Sequence, residues 1–319
     1  MSMRISTSSA GALEEKTRAA GSSVLAALFL TALKIIVGLA TNSLGILAEA
    51  AHSALYLGAA LMTLFAVRVS DRLADIKHPY GHARVENLSA LFETLLLLIT
   101  CVWIVWESVR RLFLERETVE ASIWAFLVMV VSIIVDVSRS RMLRRAARKH
   151  DSQALEADAV HFETDIWSSS VVLLGLVGVW VAQRQSQLAW LENADAVAAL
   201  GVAVIVIGVS IRLGGRAVRC LLDGTEPAVV VPIRAAIQAT AGVKGVHRLR
   251  VRTAGPETFV DVHVLADRRA SLWDAHTLAD AVQKAVRAAA PRTDIVVHVE
   301  PVPPAAPNSI GERVPDADR

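Results

Sequence analysis

The chain has 319 residues, 54% of them hydrophobic and 20% charged, and a mean hydropathy of +0.46. A chain of this length that is so apolar, with its apolar residues gathered in long runs, is not an ordinary soluble domain. The net charge of +2 gives no footprint for nucleic acid, and the two cysteines, Cys101 and Cys220, supply neither a disulfide framework nor a CxxC metal pair.

Residues 1–21 are polar and mixed in charge, and read as a cytoplasmic N-terminal segment. Residues 22–222 hold six stretches near the roughly 20 residues that span a bilayer. The first runs from Ser22 to Ala40 with Lys34 inside it, and Thr41-Asn42-Ser43 turns the chain. The others run from Leu44 to Val67, Leu88 to Phe113, Ala121 to Val137, Ala154 to Ala182 and Ala194 to Leu213. The fifth begins polar, as a helix that lines a cavity would. One side of these spans carries Arg4, Lys16, Arg18, Arg68, Arg72, Lys77, Arg84, Arg139, Arg141, Arg144, Arg145, Arg148 and Lys149, whereas the other has only Arg110, Arg111, Arg116 and Arg184. That bias places both termini in the cytoplasm, and the protein is expected in the cell (plasma or inner) membrane. Beside a membrane helix, the basic loop after the fourth span is a topology signal near anionic lipid rather than a nucleic-acid patch.

From residue 223 the composition changes. Pro232 to Ala241 reads as a helix, Val246 to Arg252 and Phe259 to Leu265 alternate as strands do, and Gly255-Pro256 marks the turn between them. Leu272 to Ala289 is an amphipathic helix and Ile295 to Val299 a last strand. This α-β-β-α-β order predicts a small two-layer α+β domain over residues 223–301, with helices on one face of a sheet. Residues 302–319, Pro/Ala-rich and then charged, read as a disordered tail.

Two windows in the membrane part resemble one another. Ala48 to Tyr56 reads AEAAHSALY and Ala157 to Asp165 reads ADAVHFETD, with His52 over His161 and Glu49 over Asp158. At about 100° per residue, Glu49, His52 and Tyr56 share one helix face, and Asp158, His161 and Asp165 share another. Ionisable residues inside membrane spans are expensive and mark function by default. Two imidazoles and a carboxylate, His52, His161 and Asp165, suit a borderline divalent cation, Zn2+ first. The plainer alternative is histidines that serve helix–helix hydrogen bonds. Asp75, His78 and His82 form a second candidate cluster in the loop after the second span, held in a turn by Pro79 and Gly81. A third lies in the terminal domain: His247, His263, His276, His298 and Glu300, with His298 and Glu300 on one face of the last strand.

Lys34 followed by TNSLGILAEAAH, then HPYGHARVENL, SQALEADAVHFETD, LLDGTEP and the closing VHVEP together resemble the cation diffusion facilitator family, over nearly the whole chain. The resemblance implies six transmembrane helices followed by a ferredoxin-like cytoplasmic domain that binds metal and dimerises. It implies a transport site of two residues four apart on each of the second and fifth helices: His52 and Tyr56, His161 and Asp165. Tyr56 stands where the family usually has Asp, and a neutral phenol with a pKa near 10 is a poor zinc ligand. Glu49 and Asp158 fall beside that site as supporting residues. The resemblance also implies metal roles for Asp75, His78 and His82, and a binuclear site on His247, His263, His276, His298 and Glu300. It implies a charge interlock between Arg84 and Asp223, a homodimer, and exchange of metal for protons.

Proton exchange also follows from the ligand chemistry, because metal and protons compete for His and Asp. The function expected is divalent metal efflux by alternating access, with Zn2+, Fe2+, Co2+, Ni2+ or Cd2+ as substrate. One alternative is a membrane metal sensor or scaffold that has lost transport. Another is an intramembrane metallohydrolase with three protein ligands and an open position, although no HExxH helix accompanies it.

Overall fold

A computed structural model describes residues 7–41, 44–113, 123–182 and 194–303. The expected turn at Asn42 and Ser43, the tail beyond residue 303, and the loop positions Arg116 and Arg184 lie outside the described residues. The chain divides into two compact units. One consists of Met1–Gly224 with Thr253–Glu257, and the other of Thr225–Arg252 with Thr258–Arg319.

The first unit is helical: α1 (Thr7–Thr41), α2 (Leu44–Ser70), α3 (Arg84–Phe113), α4 (Ile123–His150), α5 (Gln153–Ala182) and α6 (Ala194–Leu221). Four stretches among the described residues are long and apolar enough to cross a membrane, Gly11–Thr41, Ala50–Ser70, Arg84–Arg110 and Leu200–Leu221. The helices outrun the apolar windows read from sequence, most of all α1 and α4. Hydropathy marks the hydrocarbon slab, whereas Arg, Lys and Glu continue a helix into water at little loss of propensity.

α1 packs mainly on α2, α3 on α6, and α4 on α5. Small residues let these backbones approach. Ala19, Ala20, Ala146, Ala147, Ala154 and Ala159 join Val67, Leu143, Leu155 and Phe162 in one buried cluster. The α4–α5 turn is tight because Asp151 takes a left-handed φ of 51°, a conformation that Asp tolerates better than most residues.

A buried ionic network ties four of these helices together. Lys16 on α1 and Glu86 on α3 are 1% and 0% exposed. The Lys16 Nζ donates to Asp71 Oδ1 at 2.8 Å and to Glu86 Oε1 at 3.1 Å. Ser70 at the end of α2 donates to Glu86 Oε1 at 3.0 Å. Ser152, which precedes α5, donates to Glu86 Oε2 at 2.6 Å. A buried charge tolerates no missing partner. Ser152→Ala is therefore expected to destabilise the helical unit by about 2 kcal/mol. Thermal unfolding in detergent checks this; an unchanged transition would mean that Glu86 Oε2 finds another donor.

The second unit is α7 (Pro227–Gln238), β1 (Gly245–Ala254), β2 (Glu257–Ala266), α8 (Leu272–Ala289) and β3 (Thr293–Pro301). The sheet order is β1-β2-β3. β2 and β3 run parallel, with His263 opposite His298 and Leu265 opposite Glu300. A two-residue connection is too short for a crossover, so β1 runs antiparallel to β2. α8 starts where Ser271 accepts from the Asp274 N–H at 3.2 Å and Asp274 accepts from the Ser271 N–H at 2.9 Å, a reciprocal cap. α7 starts at Pro227 rather than at the expected Pro232, which sits inside it; proline is well suited to the first helical position.

Ile233 and Ile237 of α7, Val260, Val262 and Val264 of β2, Val282 and Val286 of α8 and Ile295 of β3 form the core of this unit. The β2 alternation sends Val260, Val262 and Val264 to that core and His263 to the other face. In β1 the pleat is interrupted: Arg248 has a φ of 51°, and Val246, Leu249 and Val251 all pack against the core. His247 thereby stays on the face opposite the helices. Strict alternation would have placed it with Leu249 and Val251.

Candidate metal sites

On α2, His52 and Tyr56 are one turn apart and half-buried, and the Tyr56 hydroxyl hydrogen-bonds His52 Nε2. The Tyr56 ring meets the His52 ring at 4.4 Å between centroids. It also meets His161 of α5 edge-on, at 4.0 Å and an interplanar angle of 88°. His161 is 3% exposed, and both of its ring nitrogens are buried without a hydrogen-bond partner. Leaving two polar atoms unsatisfied in a buried position is unfavourable. This imidazole is the group in the membrane unit that most needs a ligand.

Asp165 lies one turn beyond His161 and is half-buried. The ligand atoms of His52, His161 and Asp165 are not all within 4.8 Å of one another. Among the described residues, the sets with three such atoms within 4.8 Å of one another are Asp75, His78 and His82, and His247, His263 and Glu300. In the membrane site the Tyr56 ring is in contact with both imidazoles.

The surroundings of this site are polar and organised. Lys34 of α1 donates to Ser53, next to His52, at 2.8 Å. Asp158, one turn before His161, is 2% exposed and accepts from Ser23 of α1 at 3.0 Å. The side chain of Glu49 lies outside the described residues. Glu93 of α3, fully buried, accepts from Thr63 of α2. Glu163 of α5 turns away toward α4, where Arg144 grips both its oxygens and Ser140 donates at 3.0 Å. Sequence reasoning assigned Glu163 no role, and nothing in its spacing pairs it with Arg144.

The loop cluster is a turn built around one carboxylate. Asp75 Oδ1 accepts from the backbone N–H groups of Lys77 at 2.8 Å and His78 at 2.6 Å. Gly81, at a φ of 79°, closes the turn with a backbone bond to the His78 carbonyl at 2.9 Å; only glycine adopts that φ freely. The His78 Nδ1 is 3.2 Å from Asp75 Oδ1, and the His82 Nε2 is 3.6 Å from Oδ2. The two imidazole rings lie 4.3 Å apart. The His78 backbone N–H, with smaller contributions from the His78 ring and the Lys77 N–H, holds the Asp75 carboxyl below its usual value, so it is ionised and ready for a cation.

The third cluster crosses the open face of the sheet. The Glu300 carboxylate joins three strands: Oε2 meets His247 Nε2 at 3.0 Å, and Oε1 meets His263 Nδ1 at 2.7 Å and His298 Nε2 at 3.4 Å. The rings of His263 and His298 are 4.8 Å apart. His276 stands apart from this group on α8, exposed, 3.7 Å from Asp280. Four of the five expected residues therefore gather and the fifth does not. The hydrogen bond from His263, then that from His247, lowers the Glu300 carboxyl below its ordinary value of 4.5.

A group lowered on folding contributes stability above its unfolded value, and that contribution is lost as pH falls through the lowered one. Hydrogen-exchange protection of β1 and β3 in the metal-free protein is thus expected to drop on acidification in wild type and to be flat in Glu300→Gln. Matching pH profiles would show that the carboxylate does not bind these strands together.

Arg84, at the start of α3, and Asp223, just past α6, form a direct ion pair. Asp223 has a φ of 61°, and the α6 terminus is closed by Gly224 N–H to the Arg219 carbonyl at 2.8 Å, an arrangement that caps a helix end.

A helical membrane unit joined to a small α+β domain, with histidine–carboxylate clusters on both, defines a membrane protein suited to handling divalent metal. Residues 22–222 match the family described as cation efflux transmembrane domain, and residues 226–302 match cation efflux protein, cytoplasmic domain. The chain is 30% identical over 289 residues to the cation-efflux pump FieF of Cronobacter sakazakii, covering 89% of this chain and 92% of that protein. It is 30% identical over 306 residues to FieF of Klebsiella pneumoniae, covering 95% and 98%. A solved structure of CzrB is 33% identical, covering 25% of this chain and 100% of that one, with a TM-score of 0.24. The chain belongs to the cation diffusion facilitator, or cation-efflux, family. Members of this family are transporters, so the chain is not an enzyme and the metallohydrolase reading is set aside.

Proposed function

We propose that this protein exports a divalent transition metal, Zn2+ first, in exchange for protons. The observation that carries this reading is His161: a buried imidazole with two unsatisfied nitrogens, in ring contact with Tyr56 and one turn from a carboxylate. The substrate metal supplies the missing partner, with His52, His161 and Asp165 as ligands and Tyr56 at the fourth position. Two imidazoles favour Zn2+, Fe2+, Co2+, Ni2+ or Cd2+ over hard cations. In the cycle, metal loads from the cytoplasm while these groups are deprotonated. The helices rock to open the site outward, and protons displace the metal.

In this reading all six helices of residues 22–222 cross the inner membrane, with both termini cytoplasmic. Residues 223–301 form the cytoplasmic domain through which two copies associate. Asp75, His78 and His82, and His247, His263, His298 and Glu300, hold further metal that senses its cytoplasmic level. His276, exposed on α8 beside Asp280, stands apart from the second of these sites. Arg84 and Asp223 lock the cytoplasmic ends of α3 and α6 together.

A second reading is supported by Tyr56. Its hydroxyl already engages His52, which leaves one imidazole less available to metal and favours a sensor that keeps the cytoplasmic clusters without transport. Sealed vesicles containing the full chain separate the two. Metal-dependent proton flux, measured with each of the five metals at two pH values, supports the exporter; binding without flux supports the sensor.

A further inference from the structure

α4 changes character along its length. From Ile123 to Val137 it is apolar, and from Arg139 to Lys149 it is strongly basic. That switch marks the level of the membrane–water interface on the cytoplasmic side. A cavity of about 940 Å³ straddles it, between α4 and α1. Ile134 and Val137 line its apolar end, and Arg18 of α1 with Arg139, Arg141 and Arg145 of α4 line its basic end.

The paired arginine of the same helix shows the contrast. Arg144 is held by Glu163. No carboxylate among the described residues forms an ion pair with Arg18, Arg139, Arg141 or Arg145; Arg139 donates to Ser138 and to Met142. The one acid on the wall, Glu15, is engaged by Lys149 at 2.6 Å. Four guanidiniums that have no anionic partner among the described residues converge on a cavity whose other end is greasy. Planar guanidinium forks suit phosphate oxygens.

We propose that this cavity is a binding site for an anionic phospholipid. The phosphate sits among Arg18, Arg141 and Arg145, with Arg139 at the edge, and one acyl chain lies along Ile134 and Val137. The lipid thereby bridges α1 to α4. A free phosphate would satisfy the arginines but not the apolar end, and the junction of the two chemistries at the interface selects the lipid. The site is separate from the metal clusters and does not depend on which metal is carried.

Native mass spectrometry tests this on the full chain released from nanodiscs of phosphatidylcholine containing phosphatidylglycerol. Wild type is expected to retain phosphatidylglycerol preferentially. The triple variant Arg18→Gln, Arg141→Gln, Arg145→Gln is expected to lose that retention at least about 10-fold. Arg68→Gln with Arg72→Gln, expected on the same side of the membrane but not among the residues that line the cavity, should keep it. Equal loss in that control would mean general surface attraction and overturn the site, as would undiminished retention in the triple variant. Displacement of the lipid by millimolar inorganic phosphate would reassign the site to a free anion. A photoreactive phosphatidylglycerol supplies a readout on unmutated protein: crosslinks should fall on residues 133–137 of α4 and 18–22 of α1, and labelling elsewhere overturns the assignment.

Discussion

His161→Ala is expected to abolish metal-driven proton flux in vesicles, with a fall of roughly 100-fold or more, beyond what loss of a ligand's supporting partner does. The reason lies in the contrast between this imidazole and its neighbours. His52 shares a hydrogen bond with Tyr56, and Asp158 accepts from Ser23. His161 has neither of its nitrogens satisfied. Removing the ring therefore relieves an unsatisfied buried group, and the folded protein should lose little stability. A residue kept for packing would behave in the opposite way, with lowered stability and retained transport. Thermal unfolding and flux measured on one preparation distinguish them, and normal flux from His161→Ala would falsify the exporter mechanism.

Tyr56→Asp is expected to raise Zn2+ affinity by roughly 10- to 100-fold, read by competition with a chelating dye. The substitution replaces a phenol that is neutral at physiological pH with a carboxylate. It also removes the hydrogen bond between the phenol and His52 and a ring that touches both imidazoles. The carboxylate binds protons in competition with metal, so the gain should shrink as pH falls. An unchanged affinity would mean that Tyr56 is not at the fourth position. Metal selectivity offers a second readout. A site with two imidazoles and one carboxylate favours softer cations more than one with two carboxylates, so Fe2+, Co2+, Ni2+ and Cd2+ should shift relative to Zn2+.

The architecture was readable because it is written in long patterns. Apolar runs announced helices, and period-two stretches announced strands. Helix ends were less legible, because hydropathy reports the slab rather than the hydrogen-bonded backbone, and α1 and α4 continue well past it. Residue spacing placed His52 with Tyr56 and His161 with Asp165, since positions four apart share a face. It could not say that the Tyr56 ring contacts both histidines, which depends on how α2 and α5 meet. Glu86 and Lys16 are 70 residues apart, and no local signal joins them. In the terminal domain, His298 and Glu300 were visible as one face of one strand. The placement of His247 beside them hangs on the left-handed backbone at Arg248, where no glycine or asparagine advertises the break. His276 was grouped with the cluster because it falls in the same small domain, and its place on α8 keeps it apart here.

The grip of Arg144 on Glu163 has a mechanical meaning. Glu163 lies midway between His161 and Asp165 along α5 but points the other way, and both carboxylate oxygens are held. A two-point attachment resists torsion as well as separation. α5 therefore cannot spin about its own axis to re-aim His161 and Asp165, the ligands proposed above, while α4 stays still. In the proposed exporter, any stroke that turns the site from one side of the membrane to the other must carry the two helices together as one lever, or first unclasp that pair.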